Sequence, residues 1–402
     1  MPDGQPPAAD WARRRQEIAE DRQRGYVERV NAGVGDLAPG GAMENDARVY
    51  TDPARFEAEL AMLRASPILA GLSGDLPEPG TLMLFEELGT SIIIVRNKQG
   101  AVNAFLNMCP HRAMKLAEEP CKKSLITCRF HGWSFDLDGG LVGLPEPEAF
   151  QDVDRTTRGL IRVPCAEWAG LIFIIPTPGA DAIDVAAHLG DFAPELEQLE
   201  LHQAEPVKDG VMQADCNWKY ALDTYGEGYH FPALHKETVS LISRTEMQYE
   251  TFGRHHRVGW ASRSIEAYAD KPEREWPATQ YEGVHYLFPN TIIFYGTVTD
   301  SDPMVQIFRH FPEAVGGMHT NFKVYAPWGV KSAEHRAVVE GAYDGTAHVV
   351  ETEDYWVARN GWKQLTMAPA GFKVLYGANE HALQNQHKAI ADAAGMPLDM
   401  YD

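Results

Sequence analysis

Basic residues are in deficit. The chain has 36 Lys and Arg against 57 Asp and Glu, a formal net charge of −21 over 402 residues. So acidic a chain lacks the positive footprint that phosphate backbones and anionic lipid surfaces demand, so neither nucleic acid nor a membrane is an expected partner. Cysteine is also scarce. Five residues in this length build no disulfide framework, and the thiols are expected to be reduced unless metal holds them. No apolar run approaches the roughly 20 residues that cross a bilayer. The opening MPDGQPPAADWARRRQ has no apolar signal core, so a cytoplasmic location is expected. Gly-x-Ser-x-Gly and P-loop motifs are absent, and so are internal repeats. One nominal dinucleotide fingerprint, Gly33-Val34-Gly35-Asp36-Leu37-Ala38, has no apolar strand before it and runs into Pro39-Gly40-Gly41, so it is rejected. What is present, 44% hydrophobic and 23% charged residues, fits a soluble globular protein of two or three domains.

The periodicities suggest an order of elements. Residues 10–31 read as a helix with Trp11, Ile18, Tyr26, Val27 and Val30 among charges, and 33–46 reads as a Gly- and Ala-rich linker. Between 76 and 180 short apolar or alternating runs, Thr81–Phe85, Ser91–Val95, Val102–Asn107, Leu125–Cys128 and Leu171–Ile175, are separated by Gly, Pro and Asn. That pattern predicts a small β domain. An acidic helix is expected over 181–200, strands near Val284–Phe288, Thr291–Tyr295, Val305–Phe311 and Asn321–Tyr325, and a helix from Ala347 to Leu365.

Within the β domain, Cys109-Pro110-His111 is followed after sixteen residues by Cys128-Arg129-Phe130-His131. Each pair follows an apparent strand, so two facing loops would each bring one thiolate and one imidazole to a common site. Zinc accepts Cys2His2, but its usual spacing pairs like with like. One Cys and one His per loop suits a [2Fe–2S] cluster with unequal irons, two Cys on one and two His on the other. Cys121, Cys165 and Cys216 have no partner at ligand spacing and read as ordinary thiols.

A second constellation gathers Asp223, Glu227, His230 and His235. On an ideal helix two residues five apart lie about 140° from each other. Pro232, between the two histidines, supplies a distortion or a helix end that lets both imidazoles reach one metal. Ala347, Val350, Asp354, Val357 and Gly361 follow helical spacing and place Asp354 on an inward stripe. A buried carboxylate needs a partner or a metal, so Asp354 is the candidate third ligand, with Glu351 and Glu353 as neighbours. Two His and one carboxylate form the facial triad of non-haem Fe(II) oxygenases. His202, His255, His256, His285, His310 and His335 lack ligand spacing and stay unassigned. Leu241, Phe288, Phe294 and Phe308 are candidate pocket walls. Their apolar character points to an aromatic or hydrophobic small molecule.

The segment CPHR-x15-CRFHGW resembles the Rieske motif of Rieske-type non-haem iron aromatic ring-hydroxylating oxygenases, and NWK-x8-GYH-x4-H with the later Glu351–Asp354 stretch resembles the same family's mononuclear-iron segments. The resemblance implies an α+β chain: an all-β Rieske [2Fe–2S] domain over 45–180, a helix-grip catalytic domain over 181–402, and an N-terminal helix and linker over 1–44. It implies Cys109, His111, Cys128 and His131 as cluster ligands, and His230, His235 and Asp354 as ligands of a mononuclear Fe(II). It makes Glu227 a bridge from His230 to a Rieske histidine, His131, of a neighbouring subunit, and gives Asp223 a catalytic place. The implied activity is that of a terminal oxygenase α subunit in aromatic hydrocarbon catabolism. It would hydroxylate or oxidatively demethylate with O2 and electrons from NAD(P)H, delivered by a separate flavin reductase with or without a ferredoxin. A homotrimer is implied, and a β subunit is left open. Three departures stand out. Ala113 occupies a position where the family usually has Gly. Asp223 stands where many ring dioxygenases have Asn, and Glu227 replaces the commoner Asp. The last two lean toward monooxygenase-like members, including those acting on quaternary ammonium or methylated amines. From a different class, a Rieske electron carrier without oxygenase activity and a zinc-stabilised binding module remain as rivals.

Overall fold

A computed structural model describes residues 8–278, 283–297 and 303–401, with side chains from 16 onward. The chain divides into two compact units. One holds Leu60–Leu189 and Glu200–Pro206; the other holds Met1–Glu59, Gly190–Leu199 and Val207–Asp402. The first unit therefore starts at Leu60 rather than 45. The reason is Glu59, which is fully buried. It accepts a hydrogen bond from Trp218 Nε1 at 3.1 Å and forms ion pairs with Arg55 and the equally buried Lys219. Buried charges must be paired to be tolerated, and these partners lie far apart in sequence. Residues 8–44 are likewise no separate piece. The helix Ala8–Ala32 is tied into the second unit by Arg22, whose Nη2 lies 2.8 Å from Glu195 and 3.1 Å from Glu250. The expected linker ends in a strand, Met43–Asp46, paired antiparallel with Lys373–Tyr376.

The unit beginning at Leu60 is built on antiparallel sheets. A five-stranded sheet runs in the order Arg162–Val163, Val102–Leu106, Ile92–Arg96, Thr81–Phe85, Cys121–Lys122. Ile92, Ile93, Ile94 and Val95 are all fully buried, as a central strand covered on both faces requires. Ile68–Leu72, a strand the apolar run did not reveal, pairs with Leu171–Ile174. A three-stranded sheet of Ile126–Thr127, Ser134–Phe135 and Leu141–Gly143 carries the second metal-ligand loop. The expected helix over 181–200 is instead two short ones, Val185–Leu189 and Ala193–Glu197, interrupted at Gly190 with φ +51°.

In the other unit a seven-stranded antiparallel sheet has the order Glu205–Ala214, Gly317–Ala326, Pro303–Ala314, Thr291–Thr297, Gly283–Leu287, His255–Gly259, Gln248–Phe252. A long helical element crosses it: Ala333–Val349, one π-helical turn over Val350–Asp354, then Tyr355–Leu365. Tyr343 stacks on Phe322, and Phe322 on Phe308, with ring centroids 4.5 and 4.3 Å apart. Those contacts hold the helix against the sheet. The helix is longer than the expected 347–365, and the π turn inserts one residue into its repeat. The buried positions run Val339, Tyr343, Val350, Asp354 and then Tyr355, Ala358, Leu365. Beyond Asp354 the most buried positions move by one residue, to Tyr355 and Ala358, so Val357 is only half-buried, whereas Gly361 stays packed against the Tyr220 ring.

Candidate functional site

The first site is made by two loops. Asn107 closes the one after Val102–Leu106: its Oδ1 accepts from the Leu116 and Ala117 amides at 3.0 and 2.9 Å, and its Nδ2 donates to Ala117 O at 2.7 Å. The two loops fold alike. Ala113 N donates to Cys109 O, and Gly132 N to Cys128 O; Cys109 N donates to Met114 O, and Cys128 N to Trp133 O. Both chain reversals need a left-handed residue, supplied by Ala113 (φ +60°) and Gly132 (φ +72°).

Cys109 and Cys128 are buried in the core of this unit beside Phe105, Trp133 and Phe135. His111 and His131 are half-buried at its edge, with ring centroids 4.7 Å apart, and His111 stacks on Trp133. Burial pushes the Cys109 thiol up, opposed by backbone N–H groups of His111 and Arg112 and reinforced by Cys128. Burial, with the charges of His131 and Arg112, pushes the His111 pKa down. His131 Nδ1 is buried without a hydrogen-bond partner, an orphan that a metal would satisfy. Among the described residues the four do not form a group whose ligand atoms all lie within 4.8 Å of one another. One zinc ion would require such convergence. Ligands spread over two irons, sulfur inside and imidazole outside, do not. The residues fit a [2Fe–2S] cluster.

The second site is built on short elements. Asn217 caps the helix Trp218–Asp223 by accepting from Lys219 N at 3.0 Å. After a turn through Gly226 and Gly228 comes a single helical turn, Phe231–Leu234, with His230 and His235 as its caps. Pro232 thus starts a short helix rather than bending a long one, a position where its missing N–H costs nothing. The two imidazoles bracket that turn. Their Nε2 atoms are 3.1 Å apart, and each faces Asp354 Oδ1, at 3.6 Å from His230 and 3.4 Å from His235. These three residues form the metal-competent group among the described residues.

The other ring nitrogens are spoken for. His230 Nδ1 is hydrogen-bonded to Glu227 Oε1, and Glu227 Oε2 accepts from His230 N at 3.1 Å. His235 Nδ1 donates to Glu353 Oε2 at 2.6 Å, and Thr238 Oγ1 donates to the same oxygen at 3.0 Å. Carboxylates behind each imidazole fix the Nδ1–H tautomer and turn both Nε2 lone pairs toward one point. Burial opposes charge on His230, but Asp354 and Glu227 outweigh it and raise its pKa to about 9. Asp354 stays below the usual carboxylate range because the two histidines outweigh its burial. So compact an arrangement of facing lone pairs and a buried anion calls for a cation, and two nitrogens and one oxygen on one side of it fit Fe(II). The π turn explains how adjacent Glu353 and Asp354 both serve: one backs His235, the other faces the shared point.

A cavity of about 590 Å³ opens beside this triad. Its walls include Trp260, Phe294, Phe308, Ile292, Val349 and Val350, with Glu227, His230, His235 and Asp354 at one end. Of the expected wall residues, Phe294 and Phe308 line it. Leu241 is largely exposed, and Phe288 lies under Arg254 elsewhere in the unit. Tyr225 lines the cavity as well. Asp223 does not line it. Its carboxylate is held by Tyr50, Gln386 and His387, and Tyr50 also meets Tyr376, in a buried network. Adjacent helical positions point in different directions, which is why closeness to Glu227 in sequence misplaces it. Glu351 is exposed and away from the triad. Cys165 and Cys216 are free thiols pushed up to about 12 by burial. No helix among the described residues is long and apolar enough to cross a membrane.

Comparison with known proteins identifies two domain families in the chain. Residues 66–164 match the Rieske [2Fe–2S] domain family, and residues 201–395 match the catalytic domain of ring-hydroxylating alpha subunits. The alpha subunit of biphenyl dioxygenase from Metapseudomonas furukawaii is 30% identical over 248 residues, 56% of this chain and 54% of that subunit, so the chain spans about half the length of that relative. The oxygenase subunit of carnitine monooxygenase from Escherichia coli (strain K12) is 27% identical over 357 residues, 87% of this chain and 88% of that subunit. In fold, a solved quaternary ammonium Rieske monooxygenase in complex with L-carnitine superposes with a TM-score of 0.73 at 20% identity, covering 89% of this chain and 96% of that one. Naphthalene 1,2-dioxygenase from Rhodococcus gives 0.66 at 18% identity, covering 94% and 97%. With both domain families matched in order over 66–164 and 201–395, the chain belongs to the Rieske-type ring-hydroxylating alpha-subunit family.

Proposed function

We propose that this chain is a terminal oxygenase that hydroxylates, once or twice, or oxidatively demethylates a hydrophobic small molecule with O2, using NAD(P)H-derived electrons from a separate flavin reductase with or without a ferredoxin. The observation that carries the reading is the convergence of His230 Nε2, His235 Nε2 and Asp354 Oδ1 at the end of a largely apolar cavity. When bound, iron at the triad would supply O2 activation, and a [2Fe–2S] cluster held by Cys109, Cys128, His111 and His131 would supply single electrons. The chain's own residues do the rest. Glu227 and Glu353 hold the imidazoles in one tautomer and one orientation. Asp354 supplies the negative charge that a divalent cation needs. Trp260, Phe294 and Phe308 exclude water and fix a flat apolar substrate beside the triad.

Glu227 is also proposed as the link to a second copy. Its carboxylate sits directly behind His230, and Tyr229 next to it is strongly exposed. A ring of three copies would set a partner's cluster against that face.

The lining favours aromatic or other neutral hydrophobic substrates over carnitine-like ones. Carnitine carries a carboxylate, and no Lys or Arg lines the cavity among the described residues. The segments 279–282 and 298–302 contain no Lys, Arg or His either. A buried anion without a cation is strongly disfavoured. An electron carrier without oxygenase activity has no use for such a cavity.

The test uses anaerobically reconstituted, reduced holoenzyme with labelled O2 and a panel of aromatic hydrocarbons, phenolic ethers, methylated amines and quaternary ammonium compounds. Label in products of the neutral aromatic members is expected. No label in any product, with cluster and mononuclear iron both loaded, would overturn the oxygenase reading; label confined to the quaternary compounds would overturn the substrate preference.

A further inference from the structure

We infer that the substrate carries a hydrogen-bond donor, a hydroxyl or N–H, at the end remote from the oxidised position, and that Gln306 recognises it. The inference rests on the oxygenase reading of the cavity. Gln306 lines the cavity but is only 3% exposed. Its Nε2 donates to Thr346 Oγ1 at 2.8 Å and approaches Met304 Sδ at 3.5 Å. These contacts use both amide protons and orient the group. Oε1 is left with no hydrogen-bond partner among the described residues. Other polar groups of the lining are engaged within the protein: Thr238 on Glu353, Thr224 on Ala221, Ser243 with Trp260. Gln306 Oε1 is not among the fully enclosed polar atoms, so it is open to the cavity that its residue lines, and a polar group on an otherwise apolar wall orients a ligand.

Its position along the cavity follows from two elements independently. On the helix, Thr346 and Asp354 are eight residues apart, about 12 Å along the axis. On the strand Pro303–Ala314 the lining residues alternate as Met304, Gln306 and Phe308. Phe308 marks the metal end, where its ring meets Tyr225 at 5.0 Å between centroids. Gln306 is a two-residue step beyond it, about 7 Å. Both routes set Gln306 apart from the triad, so that a substrate atom at the metal and a donor at Gln306 would sit at opposite ends of one ligand. Ile292 and Phe294, facing Phe308 and Gln306 across the ladder, supply the apolar wall between the two ends. Sites built to pair a buried polar group discriminate more sharply than apolar pockets do, because the wrong ligand leaves that group stranded.

The experiment compares 4-propylphenol with its methyl ether, 4-propylanisole, which has the same shape at the apolar end and no donor. Binding to anaerobic holoenzyme is measured by calorimetry, without turnover. Wild type is expected to favour the phenol by roughly 10–100-fold. Gln306→Leu should bring the ratio within about twofold while keeping cluster absorbance and iron content. Thr346→Val, which frees the amide to rotate, should reduce the ratio part of the way. A wild-type ratio below twofold overturns the assignment; so does a preference that survives in Gln306→Leu or, if that variant does not fold, one that is undiminished in Thr346→Val. Failure of both probes to bind wild type also overturns it. If the phenol preference appears but no labelled oxygen enters any product, the recognition site stands and the oxygenase reading falls.

Discussion

The paired loops and the triad prepare for metal by opposite routes. All four loop ligands lie between Cys109 and His131, on two similar turns of one small β unit, with sulfur buried and imidazole at the edge. The triad joins one helical turn at 230–235 to a π turn more than a hundred residues later. Its ligand atoms crowd onto one point, whereas the loop ligands do not. Support differs as well. The loop ligands are positioned by backbone hydrogen bonds and by Asn107, and the triad by carboxylates behind its imidazoles. A local site is robust to change elsewhere; a composite one depends on every element that frames it.

That contrast can be broken most directly by deleting a ligand from each site. His230→Ala is expected to remove detectable oxygenation while the cluster's visible absorption stays at the wild-type level, and Cys109→Ser to bleach the cluster while mononuclear iron remains bound. Metal analysis and absorption spectra of both variants check this. Joint loss of both centres from either variant would show that the sites are not independent. A smaller effect is expected behind the triad. Glu353→Ala leaves His235 Nδ1 without its acceptor and should weaken iron affinity by roughly 10–100-fold, read by chelator competition with the cluster unchanged. An unaltered affinity would mean that the imidazole is oriented by packing alone. The smallest effect belongs to the loops. Ala113 occupies a left-handed conformation that costs a residue with a Cβ roughly 1–2 kcal/mol. Part of that is offset by the larger unfolded-state entropy of glycine. Ala113→Gly should therefore stabilise the cluster unit by about 1 kcal/mol, seen as a higher temperature for thermal bleaching. A lower one would mean that the loop prefers the methyl group.

Legibility followed the same division. Cys109, His111, Cys128 and His131 could be named as candidate ligands because ligand type and spacing are local, and the strands around them because apolar runs bounded by Gly and Pro are local too. His230, His235 and Asp354 were found by combining a short segment with a helical stripe, yet the stripe predicted an inward position at Val357 that the π turn moved. No sequence pattern announces a π turn, since it exchanges one hydrogen-bond register for another without changing composition. Asp223 looked catalytic from its neighbours, but the helix end turns it toward Tyr50 and His387. Glu353 as the support of His235, and Gln306 and Thr346 as a polar pair on the cavity wall, had no signal at all, because each is defined by a partner on another element.

Sequence alone determined the chemistry on offer: which thiolates, imidazoles and carboxylates are present, and which sit close enough along the chain to share a loop. Tertiary structure alone decided which carboxylates stand behind the imidazoles, which polar groups line the cavity, and where the chain divides. Ligand type and loop spacing are properties of a short stretch of chain, whereas the direction of a side chain and its partner across a cavity depend on how distant elements pack.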